Sequence, residues 1–142
     1  NGSLREKGRY STHGKKTGVW ETFYKDSTLH GRGQYKKGKY QGVWKIYHKN
    51  GHLKQIGKYK AGKASGFWKL FYSNGKIKQY GKYVGDKKEG PWHFCNTQGK
   101  VTRIQLYRKN LPAVPVWIFH GQDEGLRKKQ QLQKNNQLLI HN

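Results

Sequence analysis

The sequence predicts an all-β chain, an elongated single-layer antiparallel β-meander built from short repeats, and three observations lead there. Trp20, Trp44, Trp68 and Trp92 recur every 24 residues, each two places after Gly18, Gly42, Gly66 and Gly90, and recurrence at a fixed short period marks a repeat architecture. Within a unit, Trp44, Ile46 and His48 alternate with Val43, Lys45 and Tyr47, and Leu53, Gly57 and Tyr59 alternate with Lys54, Ile56 and Lys58. That is the two-residue period of a strand and not the 3.6-residue period of a helix. Each unit is also punctuated by a turn signal, Asn50-Gly51 and Asn74-Gly75 with Asp26-Ser27 and Gln98-Gly99 in the same place. Asn-Gly favours a tight hairpin whose two central residues both take positive φ, so two strands per unit follow, about ten in all.

The first unit carries Gly8 and Tyr10 one place out of phase, and one extra residue between Tyr10 and Gly14 accounts for the slip. Three regular units follow, in which Gly33, Gly57 and Gly81 stand two residues before Tyr35, Tyr59 and Tyr83, with Leu29, Leu53 and Ile77 upstream of them and Val101 in the corresponding place of the next unit. The fifth unit keeps Gly99, Val101 and Tyr107 and then decays. Val116-Trp117 resembles Val43-Trp44 and reads as a degenerate closing repeat. The chain therefore divides into a repeat sheet over 1–111 and a closing repeat with a carboxyl-terminal extension over 112–142. Leu111-Pro112 and Val114-Pro115 interrupt the meander, and Asp123-Glu124 ahead of Leu126–Lys134 suits a short capping helix over the open end, against the alternative of a solvated tail.

Glycine and tryptophan share the pattern for a steric reason. A residue without a side chain leaves room for an indole to lie flat across the neighbouring strand. Trp20, Trp44, Trp68, Trp92, Gly33, Gly57 and Gly81 are thus expected to be the structural set. In such an array each unit touches mainly its neighbours, so no large central core is needed.

The chain has 142 residues, with 30 Lys plus Arg against 7 Asp plus Glu and a formal charge of +23. No apolar run is long enough to cross a bilayer as a helix. Aliphatic content this low at this charge would suggest disorder, but 14% aromatic residues and 19 glycines in register argue for a fold. A single cysteine asks for no oxidising compartment, so an intracellular, cytoplasmic location is the expectation. No methionine occurs, so Asn1 is not expected to be the first residue translated, which keeps organellar import open.

The run Gly33-Gln34-Tyr35, Gly38-Lys39, Gly42-Val43-Trp44-Lys45, Tyr47, Asn50-Gly51-His52-Leu53 resembles the MORN repeat in its bacterial-type variant, and the resemblance covers about residues 1–111. It implies an elongated antiparallel sheet and a non-enzymatic role in binding or scaffolding, with membrane lipid or protein partners for eukaryotic members and antitoxin-like labels for many bacterial ones. The usual balance of lysine and glutamate is missing here. Gln41, Ser65, Ile56 and Tyr80 fill variable places, and Glu89 alone keeps an acid.

Catalysis needs an acid, base or nucleophile with a partner, and the seven carboxylates form no convincing pair. No histidine spacing fits a metal site. His48 and His52 flank a turn and read as hairpin-end side chains, and Cys95 takes the place of Phe23, Tyr47 and Phe71 as a packing residue. No enzyme, cofactor, metal or small-molecule substrate is expected. Tyr40 and Tyr80 lie off the repeat pattern beside lysines, as solvated tyrosines or rings on which a base could stack.

Strand alternation puts Lys45 and Lys69 in one column, Lys58 and Lys82 with Arg9 in another, and Lys54 and Lys78 in a third, all away from the tryptophans. Loop lysines such as Lys36 extend the field. Like charges about 5 Å apart across strands or 10 Å across repeats lie within or near the Debye length, and a cost of this kind points to an anionic partner. Nucleic acid, most of all structured RNA in a larger assembly, is the first expectation. An anionic membrane and a protein partner bound by strand addition or charge follow.

Overall fold

The computed structural model describes residues 4–118, which form one open ten-stranded antiparallel sheet in sequence order. The strands are β1 (Arg5–Tyr10), β2 (Lys16–Phe23), β3 (Leu29–Lys36), β4 (Lys39–Tyr47), β5 (Leu53–Lys60), β6 (Lys63–Phe71), β7 (Ile77–Val84), β8 (Lys87–Cys95), β9 (Val101–Arg108) and β10 (Leu111–Ile118). Among the described residues there is no helix. The all-β meander is therefore the fold; the expected capping helix lies outside the described residues.

A bulge in every unit sets the tryptophan. Pairing of β3 with β4 steps from Arg32–Lys45 to Gln34–Gln41, so Gly42, Val43 and Trp44 together face Gly33. Gly42 holds φ at 73° to make this bulge, as Gly18, Gly66 and Gly90 do in theirs. The indole then lies flat over the glycine: a Cβ on Gly33 would stand 2.0 Å from Trp44 Cδ2, one on Gly57 1.9 Å from Trp68 Cδ2, and one on Gly81 2.2 Å from Trp92 Cδ2. Gly8 meets Trp20 in the same way, so the slip in the first unit is absorbed. The bulge frees a carbonyl, and the indole N–H donates to it: Trp20 to Arg9 at 3.1 Å, Trp44 to Gln34 at 2.9 Å and Trp92 to Lys82 at 3.1 Å. Trp68 donates to Ser65 at 3.2 Å. All four repeat tryptophans are buried.

The two turn rows differ from expectation. Paired left-handed residues do occur, but at Lys37-Gly38, Ala61-Gly62, Gly85-Asp86 and Lys109-Asn110, with φ from 49° to 85°. At Asn50-Gly51 only Gly51 is left-handed, with φ 90°. There Gly51 N–H donates to His48 at 2.9 Å and His48 N–H to His52 at 2.8 Å, a type I turn closed by a left-handed residue. Asn50 serves that loop through its side chain, its Oδ1 accepting from His52 N–H at 3.0 Å.

The closing strand also departs. Val116 pairs with Gln105 and Trp117 with Ile104, so Trp117 takes the lateral place of Lys45 and Lys69 and not that of Trp44. It packs with Cys95, Val101, Ile104 and Leu106 in a separate apolar cluster. Gln105 stands where Gly57 and Gly81 stand in earlier units. Its Nε2 donates to Leu106 at 3.0 Å and Ala113 at 2.8 Å. Leu106 carries the carbonyl that an indole would otherwise meet, so an amide does there what tryptophan does elsewhere.

Candidate functional surface

The face away from the repeat tryptophans can be followed along one lateral row, because residues directly opposite in an antiparallel pair share a face. From β1 to β10 the successive partners are Lys7, Glu21, Arg32, Lys45, Ile56, Lys69, Tyr80, His93, Ile104 and Trp117. A second, bulged row pairs Val43 with Lys58 and Phe67 with Lys82. Lys54 and Lys78 stand two residues along β5 and β7 from Ile56 and Tyr80, and Lys36 sits at the hairpin end opposite Lys39. All seven expected lysines, Lys36, Lys45, Lys54, Lys58, Lys69, Lys78 and Lys82, are exposed.

No two of the seven are direct cross-strand partners. Ile56 separates Lys45 from Lys69, so the like charges in that row stand two strand spacings apart, about 10 Å. The ion pairs among the described residues are Lys16–Glu6 at 3.1 Å and Arg32–Glu21 at 3.8 Å, neither of which uses these lysines. Glu89, opposite Lys82, turns its carboxylate to the Lys109 N–H at 3.0 Å.

Arg32 belongs to this face, and the periodicity misses it because Ile56 and Tyr80 hold the same place in the next two units. Exposed apolar side chains also lie in it, among them Val19 at 43%, Val43 at 53% and Phe67 at 77%. Tyr80 is not solvated: its ring stacks on His93 at 4.5 Å with planes 6° apart, and burial raises its phenol above the ordinary range, with Cys95 adding to it.

The tryptophan face is a continuous ladder of rings. Tyr35 meets Trp20 and Trp44 edge-on at 5.9 and 5.1 Å, and Tyr59 meets Trp68 at 5.0 Å. Tyr40 belongs here, stacked on Tyr59 at 4.8 Å and edge-on to Trp44 at 4.8 Å, with 41% of its surface still exposed. Two lysines lie on the same face. Lys16 Nζ sits 4.5 Å from the Trp20 ring and 5.1 Å from Tyr35; Lys88 Nζ sits 4.8 Å from Trp92 and 5.0 Å from Tyr107. Burial lowers the Lys88 pKa and Arg103 lowers it further.

The loop edges are stitched one repeat forward. Tyr24 Oη donates to Tyr47 O at 2.5 Å and Tyr72 Oη to Cys95 O at 2.6 Å. His48 occupies the same place, its Nε2 bonding Phe71 O at 2.9 Å, while His52 lies against Gly75. These histidines are structural, and among the described residues no cluster suits a metal ion. Cys95 is buried, as a packing residue should be.

An open sheet with buried rings on one face and ammonium groups outside any ion pair on the other defines a repeat scaffold that presents a surface. The model of the MORN repeat variant matches residues 16–37, 40–61 and 66–84, so those units are MORN repeats of the variant type, a repeat whose family is generally a non-enzymatic module. No curated protein matches the chain.

Proposed function

We propose that this chain is a non-enzymatic binding scaffold whose lysine face lies along nucleic-acid phosphates, those of structured RNA first, through sequence-independent contacts. The observation that carries this reading is that seven lysines are exposed on one side and none forms an ion pair among the described residues. Held on neighbouring strands, they form a rigid field whose counterion exchange drives binding. Lysine far outnumbers the guanine-reading arginine, which suits phosphate contact more than base readout.

Replacing Lys45, Lys58, Lys69 and Lys82 together with glutamine should weaken binding of a labelled structured RNA. The slope of log affinity against log salt should flatten by about 0.7–0.9 for each phosphate that is no longer neutralised. Circular dichroism should stay unchanged. Unaltered affinity and slope would remove the lysine face from recognition.

A second reading, an anionic membrane surface, is favoured by Phe67 and Val43 standing exposed opposite Lys82 and Lys58. On that reading Phe67→Ser would weaken binding to phosphatidylserine vesicles and leave RNA binding as it was.

A further inference from the structure

One place on the tryptophan face is occupied differently in successive units. It lies between the ring of a repeat tryptophan and that of the tyrosine on the following strand, and is reached from residue 16, 40, 64 or 88. Lys16 fills it with its ammonium and Lys88 does the same, while Tyr40 fills it with a phenol ring. In the remaining unit the residue is Ala64, whose methyl is too short to fill it. A cavity of 260 Å³ is left, lined by Tyr59, Tyr83, Trp68, Gln55, Leu70 and Asp86; Trp68 is only 3% exposed, so the half-buried Tyr59 and Tyr83 supply most of its open ring surface. At about 30 Å³ per water, it has room for several waters or for one alkylammonium group.

A second departure falls in the same unit. Asp86 occupies the left-handed turn place held by Gly38, Gly62 and Asn110 in the other units, so this vacated cage gains a carboxylate from its turn, as the Lys16 place has one in Glu6, 3.1 Å from the ammonium. Its Oδ1 accepts from Ala64 N–H at 2.6 Å, which fixes the carboxylate beside the opening. Its negative charge adds to burial in raising both the Tyr59 and the Tyr83 phenols, which stay neutral as cage walls.

We infer that the Tyr59–Trp68–Tyr83 cage is a binding site for an alkylammonium group supplied from outside the chain, a lysine side chain of a partner protein in plain or N-methylated form. Ring faces attract such a cation electrostatically, and the neighbouring units demonstrate the fit with their own lysines. The carboxylate supplies a counter-charge that the Lys88 site lacks. The cage lies on the face opposite the lysine rows, so this site and the polyanion surface can fail independently.

The test follows the indole N–H resonance of Trp68 during titration with three probes at fixed ionic strength: Nα-acetyl-lysine methylamide, its Nε-trimethyl form and its neutral Nε-acetyl form. The two ammonium forms should saturate with a Kd on the order of 1–10 mM, and the neutral form should not. Ala64→Lys, which refills the cage as Lys88 does, should weaken binding at least about tenfold. Asp86→Asn keeps the turn, since Asn110 holds φ 72° there and accepts from Lys88 N–H at 3.3 Å; it should weaken binding by about fivefold. Tighter binding of the unmodified probe would identify a partner's plain lysine, and tighter binding of the trimethyl probe a methylated one. Equal binding of the neutral probe, unchanged affinity in Ala64→Lys, or no shift with either ammonium would overturn the assignment.

Discussion

In β4 and β6 the residue after the repeat tryptophan is Lys45 or Lys69, exposed on the far face; in β10 the same lateral place holds Trp117, buried against Ile104. Internal repeats put a glycine under each indole, whereas the closing unit puts Gln105 there and satisfies the carbonyl with an amide. The backbone register is shared along the whole sheet, and side-chain identity alone decides which face is wet. Charge and core are thus interchangeable at one address, and β4 and β6 leave theirs charged.

Disturbing an internal unit should cost the fold most. Trp92→Ala should cost about 3–5 kcal/mol, the range for deleting a fully buried large aromatic. Gly81→Ala should approach that cost, because its methyl would stand 2.2 Å from the indole. Chemical denaturation measures both, and a neutral Gly81→Ala would show that the ring is free to move aside. Next in size is Gln105→Gly, which restores the internal residue but strands the carbonyls of Leu106 and Ala113. A loss of about 1–3 kcal/mol is expected. A stabilised variant would mean that the closing unit is an internal repeat in disguise.

The smallest effect concerns pH. Burial, with Tyr40 and further neighbours, raises Tyr59, and burial, with Asp86 and Tyr107, raises Tyr83; Tyr35 is raised most, by burial and the Tyr40 hydrogen bond. A phenol whose native pKa exceeds its unfolded value near about 10 stabilises the fold fully below that pH, and the contribution fades as pH climbs through the native values. Phenolate absorbance should therefore show these internal rings ionising late, together with loss of the strand signal by circular dichroism. Simultaneous ionisation of all ten tyrosines near the ordinary value, with the sheet intact, would contradict the ladder.

The sheet is legible in the sequence because its determinants repeat: glycine, tryptophan and tyrosine at fixed spacing report a steric fit that each unit must solve. The exposure of the seven lysines follows from strand parity alone. What escapes is variation within the pattern. Residues 16, 40, 64 and 88 are Lys, Tyr, Ala and Lys, so Tyr40 looks irregular although all four occupy one place on the tryptophan face. Trp117 escapes because one residue of offset changes its face. Asn-Gly names a turn correctly but not its type, since Asn50 acts through its side chain.

The forward stitching of the loop edges has a mechanical consequence. Tyr24 reaches Tyr47, His48 reaches Phe71 and Tyr72 reaches Cys95, while Gly38 N–H reaches back to Lys16 and Gly62 N–H to Tyr40. Every tie joins adjacent teeth, so the molecule behaves as a zipper more than as a droplet. It should fray inward from its two ends, and excising a block such as 40–63 would shorten it by one tooth without altering the pitch of those that remain.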